Sequence, residues 1–369
     1  MSQRVDVFKI PCSGPGDLSG VQTLLDNGAL RAEDIVAVMG KTEGNGCVND
    51  FTRDYATQTW CALLAPRLGI DPVAVHGRVA LVMSGGTEGV LSPHFTVFAR
   101  RQEPAPHTAR SKRLAVGVAF TRDFAPEEIG RLAQVHATAD AVAEAMRDAG
   151  IGSIDDVHFV QIKCPLLTAG KMRDAQLRGC DTVTRDTYES MGASRAASAL
   201  GVACALNEID AAALRDEHIQ HDWSRYSARA STSAGIELDN NVVIVLGMSE
   251  AAHSEYVIAH GLMRDAVDVS DLRRCLREDF AIDPDRHPQA LRERMVNVFA
   301  KAEASPDGRI RGARHTMLDD SDINATRHAR AAVGAALASV LGDTALYVSG
   351  GAEHQGPAGG GPFALILRA

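Results

Sequence analysis

Lysine, arginine and serine recur three times along the chain in the same order, and these side chains together could hydrolyse an amide. A neutral lysine can act as general base toward a serine hydroxyl, and neighbouring cations lower a lysine's pKa. Arginine offers a fixed fork of donors for carbonyl oxygens. Small residues after each serine leave backbone N–H groups free to bind an oxyanion. The nine positions are Lys41, Arg53, Ser84, Lys163, Arg195, Ser231, Lys301, Arg327 and Ser349.

The same elements carry these residues in each third of the chain. Each third opens with a β-rich run, followed by an amphipathic helix whose apolar spacing is near 3.6 residues. A second strand then ends on the lysine, and a second helix carries the arginine near its start. A third strand runs into the serine, and a closing strand follows. Nine matched positions at matching ends of matching elements predict an internal repeat.

We therefore predict an α/β fold of three structurally similar repeat units, arranged with pseudo-threefold symmetry around one central active site. The units are predicted over residues 1–104, 111–250 and 255–369. Polar side chains at strand ends and helix starts would meet at the rim of the α/β layers, where ligands bind. The unequal spacings between the nine residues place the insertions in loops, where they cost least.

Composition narrows the class of protein. The chain has 369 residues, of which 45% are hydrophobic, and a net charge of −9. That charge argues against nucleic acid as the main partner, and no apolar stretch is long enough to predict a membrane span. The 7 cysteines are odd in number and contain no C-x-x-C, which favours a reduced, cytoplasmic setting.

Four motifs resemble the cyanuric acid hydrolase and barbiturase family, and the likeness extends over essentially the whole chain. The motifs are residues 40–53, 83–89, 231–238 and 349–357. The resemblance implies three units around one active site. It also implies hydrolytic opening of a cyclic imide-like ring without a catalytic cofactor, and a small-molecule substrate. A homotetramer is a further expectation from the family.

Carried over by position, the resemblance makes Ser231 the nucleophile and Lys163 its general base. It implies that the three arginines, the remaining lysines and three strand-end pairs hold the substrate. The substrate-binding set is Arg53, Arg195, Arg327, Lys41, Lys301, Ser84, Gly85, Ser231, Thr232, Ser349 and Gly350. The resemblance also implies a structural Mg²⁺, held by Glu303 and by the backbone carbonyls of Ala352, Gln355, Gly356, Pro357 and Gly360.

The sequence breaks its own symmetry in the second unit. Units one and three place a glutamate two residues after the lysine, at Glu43 and Glu303, whereas Lys163 is followed by Cys164 and Pro165. A carboxylate could hold its lysine protonated, so Lys163 is expected to be the lysine that is neutral and can act as a base. Units one and three also share Ser-Gly-Gly-x-Glu, and Ser231 begins a different sequence. Both differences favour the second unit for the chemistry.

Several functions remain open at this point. Cyanuric acid has three identical carbonyls that a threefold site could meet with equivalent residues, and opening its ring would give carboxybiuret. Barbituric acid has nearly the same outline, so a barbiturase that forms ureidomalonate is the near alternative. A non-catalytic protein that binds planar anionic rings would need the arginines but no basic lysine. A purely structural repeat would leave the polar strand ends unexplained.

Overall fold

The computed structural model describes residues 2–104 and 111–369 and contains three sheets of the same design. In each sheet the closing strand lies antiparallel between the opening strand and the lysine strand, and the serine strand pairs in parallel with the lysine strand. This common order confirms the predicted threefold α/β architecture. The predicted boundary at 104–111 falls largely on residues outside those described.

The first sheet has the order β1-β4-β2-β3, with two helices. Its elements are β1 (Ser2–Pro11), α1 (Ser19–Asp26), β2 (Ile35–Thr42), α2 (Phe51–Leu68), β3 (Ala80–Gly85) and β4 (His94–Glu103).

The second sheet repeats this order as β5-β8-β6-β7 and adds one helix that the sequence did not predict, α4. Its elements are β5 (Arg113–Phe120), α3 (Leu132–Ala149), β6 (Val157–Pro165), α4 (Ala169–Leu177), α5 (Thr187–Ala205), β7 (Ala230–Gly235) and β8 (Val242–Ser249).

The third sheet has the order β9-β14-β10-β13, and its insertions are a helix, α7, and a small hairpin, β11-β12. Its elements are β9 (Tyr256–Met263), α6 (Ser270–Glu278), α7 (Pro288–Arg294), β10 (Met295–Ala302), β11 (Arg309–Ile310), β12 (Ala313–Arg314), α8 (Ala325–Leu341), β13 (Tyr347–Gly350) and β14 (Gly361–Arg368).

The inner faces of the three sheets share one apolar core. Side chains alternate across a strand, so every second residue of a lysine strand points inward. Met39, Phe159 and Phe299 are fully buried there, each in or next to the central core cluster. The helices cover the outer faces, where each sheet has a core of its own. The lysines follow on the inner face, at the end of the common core.

Candidate active site

Parallel pairing of strands brings one lysine and one serine together in each unit. The residues directly opposite each other are Lys41 and Ser84, Lys163 and Ser233, and Lys301 and Ser349. All six side chains are buried. Because each pair lies at the same end of its sheet, the three pairs meet around the common core.

One pocket opens over these strand ends. Its lining combines three arginines with three serine-led turns, one from each unit. The lining residues are Gly46, Arg53, Ser84, Gly85, Met191, Arg195, Ser233, Ala234, Arg330, Ser349 and Gly350. Arg53, Ser84, Gly85, Arg195, Ser349 and Gly350 therefore lie together, as predicted from the sequence. The lysines lie behind the serines that line the pocket.

The structure does not place Ser231 in this pocket. Ser231 is opposite Gln161, two residues before Ser233 on β7, and its hydroxyl has no hydrogen-bond partner among the described residues. Thr232 faces the other side of the sheet, where its hydroxyl donates to the Arg195 carbonyl oxygen at 3.0 Å. The predicted pair Ser231 and Thr232 is therefore wrong by two residues. Ser233 and Ala234 occupy the equivalent place.

When the second unit is aligned on Ser233 instead of Ser231, all three units share one sequence motif after the serine. Ser233 begins Ser-Ala-Gly-Ile-Glu, which matches Ser-Gly-Gly-x-Glu in the other two units. The glutamates that close the three motifs are Glu88, Glu237 and Glu353. Because the strand contains Ser231-Thr232-Ser233, either serine can be aligned with Ser84 and Ser349. The glutamate four residues further on was the signal that could have selected Ser233.

The arginines are presented from the first half of each second helix. Helices α2, α5 and α8 are capped at their N-termini by Asp50, Asp186 and Asn324, whose side chains each accept a hydrogen bond from a first-turn amide. The pocket arginine of the third unit is Arg330 and not the predicted Arg327. The side chain of Arg330 is 3% exposed, whereas that of Arg327 is 39% exposed. One helical turn separates the two, so only Arg330 faces the axis.

Two of the glutamates hold an arginine from a neighbouring unit. Glu88 accepts from Arg330 Nε at 2.8 Å and Nη2 at 2.5 Å. Glu353 accepts from Arg195 Nε at 2.8 Å and Nη2 at 2.6 Å. These bidentate pairs fix the guanidinium planes. They also join the units around the pocket.

Arg330 and Arg327 both contact Glu88, but we expect their substitutions to lower the stability of the protein by different amounts. Arg330→Met leaves a buried carboxylate without its bidentate partner, so we expect the free energy of unfolding to fall by about 3–5 kcal/mol. Arg327→Met removes a more exposed contact at 3.3 Å to the same glutamate, and we expect a loss of about 0–1 kcal/mol. Urea unfolding of both variants measures the difference. Equal losses would contradict the assignment of Arg330 to the buried position.

The third glutamate breaks the symmetry. Glu237 lies 3.0 Å from Lys163 Nζ, in place of a bidentate arginine contact. Arg53, which by symmetry would pair with it, donates instead to the carbonyl oxygens of Ala234 and Cys47. The expectation that Lys163 lacks a carboxylate is therefore wrong. The second unit differs from the others because its glutamate pairs with the lysine.

The predicted lysine–glutamate relation also fails in the first unit. Glu43 is exposed, whereas Lys41 is buried, and Lys41 Nζ donates to the Ser84 hydroxyl at 3.3 Å. Lys301 Nζ donates to the Ser349 hydroxyl at 3.2 Å and to the Thr232 carbonyl oxygen at 2.8 Å. Among the residues that the structure describes, Lys163 alone of these three lysines has a carboxylate within ion-pair distance.

Burial is the main influence on all three lysines. It lowers the pKa of Lys41 well below its usual value, and Arg330 lowers that pKa further. Burial together with Arg195 lowers the pKa of Lys301 to about 7. Burial also lowers the pKa of Lys163, although Glu237 opposes this shift. The site therefore contains lysines that can be neutral near physiological pH.

The predicted magnesium ligands lie together beside the third unit's serine turn. Glu303 is half-buried, and its carboxylate accepts from the amides of Ala304 and Ala352. Burial and the nearby Glu353 raise the pKa of Glu303 to about 7. Within residues 2–104 and 111–369, no group of three or more His, Cys, Asp or Glu side chains could hold a metal ion. The predicted set has a single carboxylate, so it depends on backbone carbonyls.

These features define a class of protein: a three-unit α/β enzyme whose units contribute equivalent Lys, Arg and Ser residues to one site. The chain belongs to the family described as "Amidohydrolase ring-opening protein", which matches residues 6–368. The resemblance stated from the motifs is thereby confirmed. No helix in the described part of the chain is long and apolar enough to cross a membrane.

Several relatives are similar over their full length. A cyanuric acid amidohydrolase from Pseudomonas sp. (strain ADP) is 63% identical over 366 residues, which cover 99% of both chains. One from Enterobacter cloacae is 57% identical over 367 residues, again with 99% of both chains covered. A solved cyanuric acid hydrolase, described as an innovation by structural concatenation, has a TM-score of 0.96 at 62% identity and full coverage of both chains. Another, from A. caulinodans, has a TM-score of 0.90 at 50% identity over 99% of both chains.

Proposed function

We propose that this chain opens the ring of cyanuric acid by hydrolysis. The observation that carries the proposal is the pocket lined by one arginine and one serine-led turn from each of three units. Cyanuric acid repeats one carbonyl three times around a flat ring, so each carbonyl can meet an equivalent set of donors. The activity named for the full-length relatives supports the same substrate.

The catalytic pair that we propose is Ser233 with Lys163. A general base must be able to keep the proton that it takes. Glu237, 3.0 Å from Lys163 Nζ, would stabilise the ammonium group that forms, as a carboxylate does for the histidine of a serine protease. The resemblance to the family already assigns the base to Lys163. The strand register then selects Ser233 as its partner.

In the proposed reaction, neutral Lys163 takes the Ser233 proton while the serine oxygen bonds to a ring carbonyl carbon. The ring C–N bond breaks, the departing nitrogen receives the proton from Lys163, and an acyl-enzyme remains. A water molecule then gives a proton to Lys163 and bonds to the acyl carbon, and Ser233 leaves and recovers that proton. The product is carboxybiuret.

The other residues in the pocket would bind the substrate and spread the developing charge. Arg53, Arg195 and Arg330 supply donors to the ring carbonyls. Backbone amides near Ser84, Ser233 and Ser349, which line the same pocket, would provide an oxyanion hole. Lys41 and Lys301 stand behind their serines and orient the serine hydroxyls.

One observation favours a second catalytic pair, Ser349 with Lys301. Their side chains are in hydrogen-bond contact at 3.2 Å, and the pKa of Lys301 is lowered to about 7. Lys301 has no carboxylate within ion-pair distance among the described residues, and this is why we place the base at Lys163. Matched substitutions of Lys163 and Lys301 distinguish the two pairs.

The substrate is tested with purified protein and two rings. We expect loss of ring absorbance with cyanuric acid and at least about tenfold lower kcat/KM with barbituric acid, which lacks one of the three ring nitrogens. Ten-fold corresponds to about 1.4 kcal/mol of transition-state binding. Faster opening of barbituric acid, to ureidomalonate, would make the chain a barbiturase. Binding of either ring without turnover would make it a non-catalytic binder.

We also propose a structural Mg²⁺ beside the site, held by Glu303 and the backbone carbonyls of Ala352, Gln355, Gly356, Pro357 and Gly360. The all-oxygen donor set suits a hard cation. Glu303 is half-buried and has no ion-pair partner among the described residues, so a cation would neutralise its charge. Metal analysis of the purified protein tests this. The homotetramer and the cytoplasmic location stay predictions.

A further inference from the structure

A buried tyrosine lies directly beneath the serines. Tyr347 precedes Ser349 by two residues on β13, so both side chains point to the inner face, and Tyr347 is fully buried there. Its ring packs against Phe299, with the ring centroids 5.7 Å apart. The equivalent positions in the other units hold Val82 and Ser231. Only the third unit places a phenol at this level.

The Tyr347 hydroxyl is aimed at the site. It comes within reach of the hydroxyls of Ser84 and Ser233, but it forms no hydrogen bond of standard geometry with a described residue. A buried hydroxyl without a partner costs stability. Phenylalanine would fill the same space without that cost. The hydroxyl therefore contributes something other than packing.

We propose that Tyr347 is a positioning residue that donates a hydrogen bond to the Ser233 oxygen. The inference rests on the proposed function, because it assigns a task toward the same nucleophile. The Ser233 oxygen also lies 3.0 Å from the Ser349 hydroxyl oxygen. With donors from Tyr347 and Ser349 on its two lone pairs, the serine's own proton turns toward Lys163. The Tyr347 hydroxyl also stabilises negative charge as it develops on that oxygen. Burial raises the pKa of Tyr347, which keeps the phenol protonated and able to donate.

Tyr347→Phe tests the inference through the separate behaviour of kcat and KM. We expect kcat to fall about 10- to 100-fold, the range for a hydrogen bond to a charged group, with KM changed less than about twofold. The melting temperature should change little, because phenylalanine fills the same space. The matched control is Tyr256→Phe, which removes a phenol from the same core, bonded at 3.4 Å to the Val7 carbonyl oxygen. The control should keep its kcat.

A second measurement separates this inference from the choice of substrate. Methanesulfonyl fluoride would sulfonylate Ser233 with loss of fluoride, and peptide mass spectrometry locates the label. We expect labelling about tenfold slower in Tyr347→Phe than in Tyr256→Phe, whichever ring is hydrolysed. Slower labelling with no cyanuric acid turnover in the unaltered protein would reject the substrate and retain the inference. Equal labelling rates and equal kcat in the two variants would overturn the inference.

Discussion

Ser233→Ala is expected to abolish ring opening, with kcat lower by about 10⁴-fold or more, the scale on which a nucleophile is lost. The serine oxygen forms the acyl-enzyme, and alanine leaves no atom to attack the ring carbonyl. Binding should persist, because the three arginines remain. Steady-state turnover and calorimetric titration with cyanuric acid measure the two effects separately.

Three other serines provide matched controls for this variant. Ser84→Ala and Ser349→Ala remove hydroxyls that line the same pocket but keep the backbone amides, so we expect kcat to fall about 10- to 100-fold, as for the loss of one hydrogen bond to a charged group. Ser231 lies outside the pocket, and its buried hydroxyl has no hydrogen-bond partner among the described residues. Turnover of Ser231→Ala should therefore stay near that of the unaltered protein. Full activity in Ser233→Ala, or its loss in Ser231→Ala alone, would reject the proposed nucleophile.

The architecture could be predicted from the sequence because each repeat unit shows the same local patterns of hydrophobic residues and helix caps. Strand-end lysines and helix-start arginines follow from periodicity and capping, and both depend on neighbours within a few residues. The predicted strand at 113–120 coincides with β5. The insertions α4 and α7 were missed, because short helices in loops leave a weak pattern.

The errors at the site arise where side-chain direction decides. In a strand a shift of two residues preserves the face, so Ser231 and Ser233 satisfy the same alternation. In the folded protein, pairing with Lys163 separates them, and pairing is a long-range property. Along the chain, the glutamate four residues after Ser233 is the signal that separates them. On helix α8, a shift of three positions, from Arg327 to Arg330, takes the arginine side chain from a partly exposed to a buried position. The pattern of a hydroxyl residue followed by arginine, as in Thr326-Arg327, does not indicate how deeply the arginine is buried.

The symmetry-breaking contact lay beyond any local pattern. Glu237 lies 74 residues after Lys163 along the chain. The two side chains meet only because β7 pairs with β6. Along the chain, a carboxylate beside the lysine occurs only in units one and three, at Glu43 and Glu303. In the folded protein the carboxylates come from the serine turns. The second unit remained the proposed location of the chemistry, but for the opposite reason: its lysine has a carboxylate partner.

Lys163→Met is expected to lower kcat about 10²- to 10⁴-fold, the range for loss of a general base. Methionine matches the lysine side chain as far as Cε and removes the amine, so the apolar packing is largely retained. The matched control is Lys301→Met, which should lower kcat less, because Lys301 only orients Ser349. The reverse order of the two losses would move the base to Lys301 and the nucleophile to Ser349.

Glu237→Gln tests the reason for the assignment through pH. Activity requires neutral Lys163, so kcat should rise with pH through the pKa of that lysine. Glu237 raises this pKa, against the lowering by burial. Its removal should therefore move the rising limb to lower pH. The plateau should fall about tenfold or more, because the ammonium formed in the reaction loses its ion pair and a weaker base transfers the proton less effectively. A rising limb that stays in place would show that Lys163 is not the group that titrates.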